Sequence, residues 1–121
     1  MPISKILVVD DVTTDRMHLQ EILSDAGYQV VTASSGREAL RMASAENPDL
    51  IFLDVVMDDM DGYQACRKLT TDERTKHIPV VIVSANNQKV DKVWAQKQGA
   101  RAYVTKPYTS EDIASQILKF R

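Results

Sequence analysis

Cysteine, tryptophan and histidine are scarce in this sequence: one, one and two among 121 residues. The lone Cys66 has no partner for an internal disulfide. A catalytic or metal-binding role would need further ligands that the pattern does not offer, so it reads as a small packed residue. His18 and His77 fall in different predicted elements, which disfavours a zinc pair; a phosphorelay role for His18 would need a helical-bundle context that is absent. Basic excess is missing too. Fifteen Lys and Arg against seventeen Asp and Glu leave a net charge of −2, which argues against a nucleic-acid footprint. No apolar run approaches the ~20 residues of a membrane span. Met1-Pro2-Ile3-Ser4-Lys5 leads straight into a strand pattern rather than into a signal peptide. These absences predict a cytoplasmic protein that neither enters membranes nor binds nucleic acid.

What is present is strand and helix in alternation. Short apolar runs at Lys5 to Val9, Gln29 to Thr32, Leu50 to Leu53, Val80 to Val83 and Ala102 to Val104 are rich in β-branched residues. Three are almost purely apolar, as expected of strands buried on both faces of a parallel sheet. Between them, Leu19, Ile22, Leu23 and Ala26 share one helical face. Val90, Val93, Trp94 and Lys97 repeat that spacing, which predicts a partly buried Trp94; Ile113, Ile117 and Phe120 supply a face for the last helix. Ser35 with Glu38, Asp61 with Gln64 and Thr109 with Asp112 have the three-residue spacing of capping boxes, and Gly27 and Gly99 are placed as left-handed helix stops. Five β-α units with right-handed crossovers predict a doubly wound α/β fold. No linker or repeat divides residues 1–121, so one domain without an output domain is expected.

In an open parallel sheet, ligands bind outside the carboxyl ends of the strands. The polar residues there are Asp10 and Asp11 after strand one, Asp54 after strand three, Ser84 after strand four, and Thr105 and Lys106 after strand five. Three carboxylates at one edge repel one another and call for a cation. Oxygen-only ligands suit a hard ion such as Mg²⁺, or the similar Mn²⁺. Lys106 adds a fixed positive charge and Ser84 a hydroxyl donor. That combination suits phosphoryl transfer to a carboxylate nucleophile, Asp54, with Thr105 orienting the loop. Asp59-Met60-Asp61-Gly62 hints at a calcium loop, but its required acidic ends fall on Met57 and Lys68.

Leu7-Val8-Val9-Asp10-Asp11, Leu53-Asp54-Val55-Val56-Met57, Met60-Asp61-Gly62, Val83-Ser84-Ala85 and Thr105-Lys106-Pro107 together resemble the signature of the two-component response-regulator receiver domains, the CheY-like family. The resemblance covers nearly the whole chain. It implies a flavodoxin-like sheet in order 2-1-3-4-5, with Asp54 as phosphoacceptor. It also implies Mg²⁺ on Asp10, Asp11, Asp54 and the backbone carbonyl of Val56. Ser84 and Lys106 would take the phosphoryl oxygens, Tyr103 would be the switch aromatic, and Pro107 would follow a cis bond. One departure is Asp58 where the family commonly has proline; with Asp59 it makes an acidic loop. The stretch from Asp91 to Arg101 is similar, more narrowly, to PilH-type regulators of type IV pili and twitching motility. A CheA-like histidine kinase would then be the donor, and a protein target would bind the fourth helix, strand five and the fifth helix. Two alternatives stay open. One is a phosphate sink, with Val56 and Asn86 flanking the path of the attacking water. The other is a flavodoxin-like small-molecule binder, disfavoured because strand one ends in Asp10-Asp11 rather than a Gly/Ser/Thr-rich phosphate loop.

Overall fold

The computed structural model describes residues 2–55, 61–86 and 88–121. Within them run β1 (Lys5–Val9), α1 (Thr13–Asp25), β2 (Gln29–Ala33), α2 (Gly36–Glu46), β3 (Leu50–Asp54), α3 (Gly62–Thr71), β4 (Val80–Ser84), α4 (Lys89–Lys97), β5 (Ala102–Thr105) and α5 (Ser110–Leu118). All strand pairings are parallel, in the order β2-β1-β3-β4-β5. Strands β3 and β4 are buried at every position, the reason for their unbroken apolar runs.

Alternation along the strands sorts the core into two layers. Leu7, Val9, Ile51, Leu53 and Ile82 pack with Ala39, Ala43, Ala65, Leu69 and Ala95 of α2, α3 and α4. Ile6, Val8, Leu50, Phe52 and Val83 pack with Leu19, Leu23, Ile113 and Ile117 of α1 and α5. Burying each large aliphatic or aromatic side chain contributes about 1.5–3 kcal/mol. The layers are therefore the main source of stability, and the site can carry unfavourable charge on top of them.

Helix ends follow local chemistry. Ser35 Oγ accepts the Glu38 N–H at 3.1 Å, while the Glu38 carboxylate accepts from Ser34 rather than from Ser35, so that box closes one residue early. Asp61 Oδ1 accepts the Gln64 N–H at 2.8 Å. Thr109 and Asp112 form the full reciprocal box. Gly27 and Gly99 take the expected positive φ, and Asn47 ends α2 the same way.

α4 departs from expectation. Val90, Val93 and Trp94, assigned by spacing to the buried face, are 66%, 42% and 51% exposed. The face that meets the sheet is Ala95, with Gln98 just beyond the helix. A small residue lets the helix lie close, and the larger apolar side chains are left outward. Trp94 touches the body edge-on through Tyr63, ring centroids 6.4 Å apart.

Candidate functional site at the carboxyl ends of the strands

Strand register assembles the site. Val9 pairs with Leu53, so the next residues, Asp10 and Asp54, lie side by side. Asp54 pairs with Val83, and Ser84 with Thr105. Ser84 and Lys106 therefore follow at successive steps across the same edge. β1 is where the chain reverses its direction of travel across the sheet, the point at which such folds open a crevice.

Ligand atoms of Asp10, Asp11 and Asp54 come within 4.8 Å of one another. Asp10 and Asp54 are 5% and 7% exposed. Two carboxylates this buried beside a third cannot stay ionised cheaply without positive charge. Lys106 supplies part of it. Its ammonium lies 3.1 Å from Asp10 Oδ2, 3.0 Å from Asp15 Oδ2 and 3.9 Å from Asp54 Oδ1. Burial alone would lower the lysine pKa, but the carboxylates of Asp15, Asp54 and Asp10 outweigh it and raise it well above the usual lysine value. Among the described residues, Lys106 and the nearby Arg16 guanidinium against four carboxylates leave net negative charge, and the all-oxygen donor set fits a hard divalent ion.

Backbone contacts hold these groups in place. Asp10 Oδ1 accepts the Val12 N–H at 2.9 Å, a turn that starts α1. The Arg16 guanidinium donates to the Asp10 carbonyl at 2.8 Å. Lys106 N–H donates to the Ser84 carbonyl at 2.8 Å, and the Lys106–Pro107 bond is cis, as the resemblance implies. Ser84 Oγ accepts the Asn86 N–H at 3.1 Å. Gly62 N–H donates to the Val55 carbonyl at 2.8 Å, and a Cβ at Gly62 would run into the backbone of Asp54 and Val55. The glycine is thus required for α3 to start against the end of β3.

Tyr103 is half-buried on the α4 side of the sheet, and its hydroxyl donates to the Asn86 carbonyl at 2.8 Å. This ties β5 to the loop after Ser84. Neighbouring Tyr63 has its phenol pushed up to about 12, by burial first and then by Tyr103.

The other singled-out residues lie apart. Cys66 is fully buried, donates weakly to the Gln98 carbonyl, and has its thiol pushed up to about 12 by burial. His18 stacks on Tyr108, and His77 contacts Asn47. Thr105 sits in the last β5 pair. Val56, Asp58 and Asp59 lie outside the described residues. Sequence reasoning missed Asp15 and Arg16. The available signal was their position in the first turn of a helix that begins at the carboxyl end of β1.

Comparison with known proteins agrees with this geometry. Residues 6–118 match the response regulator receiver domain model. The chain is 42% identical to Protein PilH of Pseudomonas aeruginosa over 94% of each chain. The chemotaxis protein CheY4 of Vibrio cholerae superposes with a TM-score of 0.92 at 29% identity, covering 98% of this chain and 99% of that one. The receiver domain of the Pseudomonas aeruginosa sensor histidine kinase PA1611, which has a magnesium ion in its active-site cleft, superposes at 0.89 with 25% identity, covering 97% and 96%. Receiver domains are signalling domains that take a phosphoryl group from histidine kinases. By its matched sequence, strand order and clustered carboxylates, the chain belongs to the response regulator receiver domain family.

Proposed function

We infer that this chain is a response regulator receiver that accepts a phosphoryl group on Asp54 and signals by binding a protein partner when phosphorylated. The observation that carries this is the Asp10, Asp11 and Asp54 cluster with Lys106 Nζ standing 3.9 Å from Asp54. In the transfer, an Asp54 carboxylate oxygen bonds to phosphorus as the N–P bond of a donor phosphohistidine breaks. The imidazole leaves with the electron pair and takes up a proton. Asp10, Asp11 and Asp54, with the Val56 carbonyl, would hold Mg²⁺ or Mn²⁺, which when bound neutralises charge on the transferring group. Lys106 and the Ser84 hydroxyl would take phosphoryl oxygens. Ser84 moving toward the phosphoryl group would reach Tyr103 through Asn86, to which both are hydrogen-bonded. Phosphate charge acting on such a linked pair can bias a two-state surface.

Likeness to PilH supports a place in type IV pilus and twitching-motility control, a CheA-like kinase as donor and a cytoplasmic location. No helix among the described residues is long and apolar enough to cross a membrane. The target surface would be α4, β5 and α5, where Val90, Val93 and Trp94 are exposed. The test is intact mass spectrometry after incubation with Mg²⁺ and acetyl phosphate. One phosphoryl adduct is expected, absent without Mg²⁺ and absent in Asp54→Ala. An adduct that survives Asp54→Ala would overturn the assignment, as would its absence even with a cognate kinase.

A further inference from the structure

Lys106 is gripped by two carboxylates of different standing. Asp10 belongs to the trio of clustered carboxylates; Asp15 does not, and its side chain is 45% exposed on the first turn of α1. An ammonium has three donors. Asp10 and Asp15 take two of them, at 3.1 and 3.0 Å. The third is not spent on Asp54, because 3.9 Å is too long for a hydrogen bond. That stand-off has chemical value. A charge-assisted N–H···O contact needs about 2.8 Å, so a phosphoryl oxygen attached through Asp54 can enter between carboxylate and lysine.

Nothing in the lysine itself keeps this distance. Attraction toward a buried carboxylate is strong where water is scarce, and a free ammonium would close onto Asp54. It would then cover the nucleophilic oxygen and compete with a cation for Asp54 and Asp10. Asp15 holds the ammonium at 3.0 Å, against 3.9 Å to Asp54. Its helix is fixed to the site by the Arg16 guanidinium on the Asp10 carbonyl, 2.8 Å away.

We propose that Asp15 is a positioning residue that draws Lys106 off Asp54 and sets the gap that receives the phosphoryl group. This rests on the reading of Asp54 as the phosphoacceptor. The test compares the full chain with Asp15→Ala, Asp15→Asn and Asp15→Glu, each checked for folding by circular dichroism. Two quantities are read: the Mg²⁺ dissociation constant by calorimetry, and the rate of acetyl-phosphate labelling at saturating Mg²⁺. Asp15→Ala is expected to weaken Mg²⁺ binding about three- to tenfold, as a full charge turns onto Asp10 and Asp54, and to slow labelling. Asp15→Glu restores both. Asp15→Asn, which loses the charge but keeps the shape, moves in the alanine direction and serves if that variant unfolds. Unchanged binding and rate in Asp15→Ala, faster labelling, or failure of glutamate to restore them would overturn the proposal. If the wild type labels neither with acetyl phosphate nor with a cognate kinase, the phosphoacceptor reading fails, and the Mg²⁺ titrations still report whether Asp15 restrains Lys106.

Discussion

The two edges of one sheet treat carboxylates in opposite ways. At the amino-terminal edge, Asp49 Oδ2 accepts the Ser4 N–H, the Lys5 N–H and the Ser4 hydroxyl, each at 3.0 Å. Those backbone donors, Lys5 first, hold its carboxyl below the ordinary value. At the carboxyl-terminal edge, Asp10, Asp11 and Asp54 crowd together, and the ammonium nearest them is shared with Asp15. Fixed backbone donors stabilise the folded chain under all ordinary conditions. A crowded cluster of like charges costs stability to the extent that positive charge does not offset it, and under the proposed function a divalent cation supplies the rest. The same residue type is structural at one edge and, under the proposed function, poised for chemistry at the other.

Substitutions can break or sharpen this contrast. The largest effect is expected from Gly62→Ala, because the added methyl meets the Asp54 and Val55 backbone, which cannot swing aside. We expect a loss of about 2–4 kcal/mol in denaturant unfolding, together with weaker labelling of Asp54. Asp49→Ala removes three acceptor contacts at a partly buried position, and about 1 kcal/mol should be lost after allowing for solvent. Asp11→Asn should act in the reverse sense. Without Mg²⁺ the variant unfolds at the same or higher denaturant, by up to about 1 kcal/mol, while its Mg²⁺ affinity falls about tenfold or more. Destabilisation by Asp11→Asn in metal-free buffer would dissolve the contrast between the edges.

Acid sharpens it further. Because the folded Asp49 carboxyl is lowered from 3.8, its contribution is complete above that value and disappears as pH falls through the lower folded one. Wild type should therefore lose stability relative to Asp49→Asn only below about pH 4, read as converging denaturation midpoints. The smallest effect belongs to Arg74→Gln. Its pair with Asp72 is exposed and local in sequence, at 3.1 Å, and no shift of the midpoint is expected.

Much of this was legible in the chain. Unbroken apolar runs marked β3 and β4 because both faces are covered. Asp10, Asp11, Asp54, Ser84 and Lys106 were identifiable because strand ends in parallel sheets meet at one edge. The α4 stripe misled, since periodicity marks the face with large apolar residues while contact with the sheet selected Ala95. Asp49 gave no sign of its role, because its partners are backbone amides 44 and 45 positions away. Asn47 ending α2 in a left-handed turn was also unannounced.

The sequence by itself determined the alternating elements, the two-layer core and the set of oxygen and ammonium groups available for chemistry, since these follow from residue type and local period. Only the tertiary structure decided how charge is shared among them. Lys106 reaches Asp15 across 91 positions and Asp10 across 96. Such distances are set by strand register and helix placement, which no local pattern encodes.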